Sequence, residues 1–209
     1  MLDAEFNAQI GQFIRRPFPG AQLIDVQQLT AGASQQTFRV SVRHPEGHEV
    51  DYALRRAQPG LERSSYGQVT PSVEAKLLEL ASSAHVPVPK VIESLHSTDG
   101  LGDGYLMEWL QGETMGQRIV KLPELESARE NLAFECGQAL ARIHAIEVPN
   151  QLQEVLHSVS PEELVRETWE AYVTLETPQP MIDFTAQWLL SNLPPESDSA
   201  LVHGDFRNG

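Results

Sequence analysis

The last nine residues, Leu201-Val202-His203-Gly204-Asp205-Phe206-Arg207-Asn208-Gly209, put a carboxylate on a tight turn behind a short apolar run. Moving a phosphoryl group to a hydroxyl asks little covalent chemistry of a protein. It asks for a carboxylate that orients the attacking hydroxyl and takes its proton, and for groups that hold the phosphates. A His-x-Asp turn followed by an Asn five residues after the Asp is one pattern that does this. His203 and Asp205 fill the first two places, and the Asn would fall one residue past Gly209. Arg207 is a cation two residues beyond the carboxylate. It could neutralise charge on the transferring group, or be a solvated loop residue. The His-Gly-Asp turn could also simply close a hairpin.

Further parts of a phosphate site precede this turn in a consistent order. Residues 30–34 are expected to be a glycine-containing turn in which Gly32 and Ser34 could offer backbone N–H groups to phosphate. An ordinary β-turn would look the same. Tyr52-Ala53-Leu54-Arg55-Arg56 falls where a strand would carry a phosphate-pairing cation. Strand side chains alternate between faces, so only one of the two arginines can face a cleft; Arg55 is the one expected there. The other reading is two solvated arginines on a sheet edge. Glu74 follows on an expected helix and could pair with Arg55, as in kinases, or sit solvated. Glu108 and Leu110 belong to a strand running into Gly112. Such a segment can lend its backbone to an adenine ring or be a plain core strand.

These residues need elements to hold them. Alternating and β-branched runs predict strands at 22–29, 37–43, 50–55, 91–95 and 105–110, with a short strand at 200–202. Thr70-Pro71 reads as an N-cap with proline at the first helical position, opening a helix to about Ala84 that buries Val73, Leu77, Leu78 and Leu80. Val86-Pro87-Val88-Pro89 ends it. Leu132, Cys136, Leu140 and Ile143 draw one stripe on a long helix, and Met181, Phe184 and Trp188 draw another. Ser160-Pro161-Glu162-Glu163 is a capping box. The change from strands to helices near Gln111-Gly112 divides the chain into an N-terminal lobe at 1–110 and a helical part at 111–209.

Composition narrows the classes. With 209 residues, 41% hydrophobic and 21% charged, the chain is of globular type. A formal net charge of −14 opposes a nucleic-acid partner. The single cysteine, Cys136, allows no intramolecular disulfide. Neither a signal peptide nor a membrane-length apolar run is visible, so a cytoplasmic location without membrane attachment is expected. No Cys/His pair at metal spacing is read from the sequence, so no metal site is expected.

Together these segments resemble the aminoglycoside phosphotransferase-like family, and most of all the kinase-like domains related to those fused to acyl-CoA dehydrogenases. The resemblance rests on Leu29-Thr30-Ala31-Gly32-Ala33-Ser34, Tyr52-Ala53-Leu54-Arg55-Arg56, residues 86–89, Leu106-Met107-Glu108-Trp109 and His203-Gly204-Asp205-Phe206-Arg207. It implies an α+β, bilobal protein-kinase-like fold with an antiparallel-sheet N-lobe and a helical C-lobe only partly present. It implies ATP or GTP as donor, Mg²⁺, and a small hydroxylated acceptor. By resemblance Asp205 is the catalytic carboxylate, Arg55 the phosphate-pairing cation and Glu74 its partner. The family's catalytic-loop Asn and later Mg²⁺-binding Asp do not appear in these 209 residues, so the chain by itself is expected to bind better than it catalyses. The alternative is a nucleotide- or ligand-binding pseudokinase module.

Overall fold

The computed structural model describes residues 4–29, 35–60, 69–195 and 199–207. Its centre is a five-stranded antiparallel sheet in the order β1-β2-β3-β5-β4. The strands are β1 (Gln22–Leu29), β2 (Gln35–Arg43), β3 (Glu49–Ala57), β4 (Val91–Ser94) and β5 (Gly104–Glu108). All five expected strands of the first lobe are present, with ends shifted by one or two residues. β3 is the middle strand, flanked by β2 and β5. Its arginines therefore do not lie on an edge.

The alternation of β2 explains why the sheet has two unlike faces. Phe38, Val40 and Val42 point one way and are buried, while Thr37, Arg39 and Ser41 point the other. Register carries the pattern across: Phe38 pairs with Leu54, and Leu54 with Leu106. Tyr52 and Leu54, two residues apart, share the apolar face.

That face is covered by α1 (Ala4–Ile14), a helix the strand-centred reading of the sequence passed over. Its signal is nonetheless local. Phe6, Ile10, Phe13 and Ile14 recur at the spacing of one helical face. All four join Phe38, Val40, Val42, Leu54 and Leu106 in one core. Ile10, Ile14 and Leu54 are fully buried, and each such side chain contributes roughly 1.5–3 kcal/mol.

On the other face lies α2 (Pro71–Ser83), which starts and stops as its sequence predicts. Thr70 Oγ1 accepts the Val73 N–H at 3.0 Å, and Pro71 occupies the first turn. At its end His85 takes a left-handed φ of 59°. Val86 N–H returns to Ala81 O and His85 N–H to Ser82 O, satisfying the last carbonyls. Its buried positions are Pro71, Ala75 and Ala81. The expected Val73, Leu77, Leu78 and Leu80 are only partly buried.

A second core gathers the end of α2, the 86–89 segment and the end of α4 (Glu126–His144), with α3 (Gly116–Lys121) preceding α4. Ala81, Val86, Ile143 and Ile146 are its buried members, and Leu201 packs against them. On the long-helix stripe, Ile143 is buried whereas Leu132, Cys136 and Leu140 are partly buried. The strand expected at 200–202 does not form: these residues are extended chain without a ladder partner among the described residues, held through Leu201.

Compact units divide the chain as Met1–Val148 with Leu201–Gly209, and Pro149–Ala200. The second comprises α5 (Asn150–Gln153), α6 (Pro161–Val173) and α7 (Pro180–Ser191). The capping box is formed: Ser160 Oγ accepts the Glu163 N–H at 3.2 Å, and Glu163 Oε2 accepts the Ser160 N–H at 2.8 Å. Trp169 Nε1 donates to Asp183 Oδ1 at 2.8 Å and ties α6 to α7. The Met181, Phe184 and Trp188 stripe is exposed. No helix among the described residues is long and apolar enough to cross a membrane.

Candidate active site

Arg55 stands at the centre of the α2-covered face. Its strand partners are Thr37 on β2 and Tyr105 on β5. Across from it, Glu74 projects from the first turn of α2, where the Thr70 cap fixes the helix start. Arg55 Nε lies 3.3 Å from Glu74 Oε2. The same Nε donates to Gln35 Oε1, and Gln35 Nε2 donates to Glu74 Oε2 at 3.2 Å. Among the described residues, both contacts of Arg55 use Nε and not the terminal nitrogens.

Tyr105 completes the cluster from below. Its side chain is almost wholly buried and feels the charges of both Glu74 and Arg55. Burial first, and then the Glu74 carboxylate, push its phenol above the ordinary range, with Arg55 opposing. The hydroxyl therefore stays protonated. Close packing beside it requires glycine: a Cβ on Gly104 would stand 2.5 Å from Arg55 O and 2.7 Å from Leu95 Cδ1.

Arg56 occupies the opposite face. Its Nε donates to Gln36 Oε1 at 2.9 Å and its Nη1 to Leu101 O at 3.1 Å. The guanidinium lies 4.2 Å from the Phe6 ring centroid. Burial lowers its pKa from the usual arginine value. Arg55 and Glu74 are thus within ion-pair reach, as expected, and the reading of two solvated arginines does not hold.

The 203–207 turn is placed by Leu201 in the second core. Gly204 has φ 80°, a conformation that costs a side chain energy. Past it, Arg207 Nε donates to both Asp205 oxygens, at 2.9 and 3.0 Å. The two side chains are about 70% exposed. The His203 ring meets Phe206 edge-on, centroids 5.4 Å apart. Among the described residues no hydrogen bond or ion pair joins this turn to Arg55 or Glu74. Arg207 is therefore committed to the Asp205 carboxylate in this conformation.

The segment after β5 is arranged differently from a free binding edge. Glu108 N–H donates to Lys90 O at 2.9 Å, and Glu108 Oε2 accepts the Lys90 N–H at 3.2 Å. Leu110 is exposed, just past the strand. Gly32 and Ser34 lie outside the described residues. Gln35 and Tyr105 were not picked out from sequence. Only the β2–β3–β5 register places them beside Arg55 and Glu74.

A family model described as "Phosphotransferase enzyme family" matches residues 25–209. The chain belongs to this phosphotransferase family. Two curated relatives support the narrower resemblance. Acyl-CoA dehydrogenase family member 11 of Gallus gallus is 27% identical over 217 residues, covering 96% of this chain and 26% of that protein. Acyl-CoA dehydrogenase family member 10 of Mus musculus is 30% identical over 182 residues, covering 75% of this chain and 16% of that protein. A crystal structure from Ralstonia eutropha JMP134, provisionally described as an aminoglycoside phosphotransferase, superposes with a TM-score of 0.63. It is 22% identical, and the match covers 94% of this chain and 55% of that one. The kinase-like α+β fold expected from sequence is therefore present. The chain spans about a quarter or less of the acyl-CoA dehydrogenase relatives and about half of the solved structure.

Proposed function

We propose that this phosphotransferase chain belongs to a cytoplasmic small-molecule kinase that uses ATP or GTP to phosphorylate a hydroxyl. The Arg55–Glu74 pair carries this reading. A guanidinium held at Nε by a carboxylate and an amide is restrained in orientation, while its terminal nitrogens keep the planar fork that suits phosphate oxygens. In this reading residues 1–110 bind the nucleotide, with Gly32 and Ser34 over the phosphates and the backbone of Glu108 and Leu110 at the base. Residues 111–209 present Asp205, which orients the acceptor hydroxyl and takes its proton. His203 holds the turn.

Mg²⁺ does not fit the described site as it stands. It requires oxygen ligands, and Glu74 and Asp205 are each already paired with an arginine. No step is assigned to the ion.

One observation favours the second reading, a binding module without transfer. Both Asp205 oxygens accept from Arg207, which opposes a role as proton acceptor unless the pair opens. Asp205→Asn separates the two. In a natural chain that contains these residues and turns over, the substitution is expected to leave nucleotide affinity by calorimetry unchanged and to cut transfer by roughly 10²–10⁴. Wild-type turnover from Asp205→Asn, across a panel of hydroxylated acceptors, would reject the mechanism. The 209-residue chain alone is expected to bind nucleotide without measurable turnover.

A further inference from the structure

The tip of the β2–β3 hairpin gathers three metal-ligating side chains that the phosphotransferase reading does not use. His44, Glu46 and His48 stand in the run His44-Pro45-Glu46-Gly47-His48. One ligand atom of each lies within 4.8 Å of the others. The backbone brings them together: His44 N–H donates to His48 O and Gly47 N–H to His44 O, both at 2.9 Å. Gly47, at φ 91°, closes the turn. The two imidazole rings are stacked, with centroids 4.7 Å apart and planes 7° apart. His48 Nδ1 is 3.9 Å from Glu46 Oε2.

A second observation distinguishes this from a chance surface cluster. His44 Nε2 lies 3.0 Å from the Tyr52 hydroxyl, and Phe18 packs edge-on against the ring at 4.9 Å. Tyr52 is itself buried in the apolar core. Metal-binding histidines are oriented by a hydrogen bond at the nitrogen that does not ligate. Tyr52 supplies that bond at Nε2 and leaves Nδ1 for a ligand.

We propose that His44, Glu46 and His48 bind a borderline divalent transition metal of the Zn²⁺ class, through two imidazoles and a carboxylate. Imidazole nitrogens suit zinc, nickel and copper, whereas Mg²⁺ prefers oxygens. Ligand bonds of 2.0–2.2 Å in tetrahedral geometry set the donor atoms roughly 3.3 Å apart. The three must therefore close by about 1.5 Å from their present limit. Stacked parallel rings aim their in-plane lone pairs in parallel, so His48 must also turn out of the stack; Glu46 and His48 are exposed and can rotate, with half-buried His44 as the fixed point. The sequence signal was a His-x₃-His pair spanning a turn, which reads as zinc spacing only once the hairpin is known. The site is remote from Arg55 and independent of the kinase reading: Gln35 and Arg43 mark opposite ends of β2, about 26 Å apart at the strand rise.

The test is Zn²⁺ titrated into the 209-residue chain by calorimetry, with Co²⁺ visible absorption reporting coordination. One Zn²⁺ per chain is expected. His48→Ala leaves the His44–Tyr52 contact in place and should weaken binding by more than the roughly 10–100-fold that loss of an outer-shell partner costs. It should also abolish the four-coordinate Co²⁺ spectrum. Glu46→Gln should weaken binding by roughly 10-fold or more, with the fold intact by circular dichroism. Cys136→Ser should bind as wild type. Absence of a one-site isotherm overturns the site. So does Zn²⁺ affinity unchanged in His48→Ala, which would assign the metal to other histidines.

Discussion

β3 carries two adjacent arginines that make the same first contact and end in different surroundings. Each donates its Nε to a glutamine side chain of β2, Arg55 to Gln35 and Arg56 to Gln36. Arg55 then meets a carboxylate, Glu74, on the α2 side. Arg56 meets no acid that the structure describes: its neighbours are the Phe6 and Phe38 rings and the Leu101 carbonyl on the α1 side. The apolar face carries the packing energy. The polar face holds a charge in a set orientation, where it can meet an anion. Partly exposed ion pairs contribute little to stability, roughly 0–1 kcal/mol, so the Arg55 pair is better understood as positioning than as support.

The largest effect should come from the apolar face. Leu54→Ala removes a fully buried side chain next to Arg55 and should cost about 2–5 kcal/mol of stability by denaturant titration. Nucleotide affinity of the folded fraction should not change. An affinity loss in Leu54→Ala would mean that the two faces are not separable.

The arginines themselves sharpen the comparison. Arg55→Met should lower nucleotide affinity by an amount equal to one charged hydrogen bond, roughly 1.5–3 kcal/mol, while stability moves by less than about 1 kcal/mol. Arg56→Met should leave nucleotide affinity unchanged. It strips the Leu101 carbonyl and the Gln36 amide of their donor and should cost roughly 1–3 kcal/mol of stability. Equal affinity losses from both would break the assignment of Arg55.

Gly104→Ala strikes both arginines together. The new Cβ would meet Arg55 O at 2.5 Å and Arg56 Cβ at 2.9 Å. Backbone oxygen cannot swing away, so a loss of about 1–3 kcal/mol is expected, accompanied by weaker nucleotide binding. Stability loss without the binding change would show that the Arg55 orientation tolerates movement of β3.

The smallest effect is a slope. Tyr105 has its phenol pKa raised by burial and by Glu74. Between the unfolded value of about 10 and the higher folded value, the native state binds more protons than the unfolded one. The stability this brings is whole below pH 10 and falls as pH rises toward the folded value. Tyr105→Phe should flatten that alkaline decline in urea midpoints measured from pH 9 to 11. An unchanged slope would remove Tyr105 from the cluster's proton balance.

What the amino-acid sequence determined by itself is whatever is written within a few consecutive residues. Strand alternation at 37–43 and 50–55, the Thr70-Pro71 helix start and the Ser160–Glu163 box all depend on near neighbours, and all are found. The α1 stripe at Phe6, Ile10, Phe13 and Ile14 is equally local. Tertiary structure decided the rest. Gln35 and Tyr105 join Arg55 only through pairing register across three strands. Leu201 reads as strand but is held by a core built from α2 and α4. On α2 the buried positions are Pro71, Ala75 and Ala81 instead of Val73, Leu77 and Leu78. His44 and His48 face each other only because a hairpin folds between them. Periodicity and capping are set by interactions over one or two turns of chain, which the sequence displays directly. Register and close approach are set by partners tens of residues away, whose identity depends on every intervening turn.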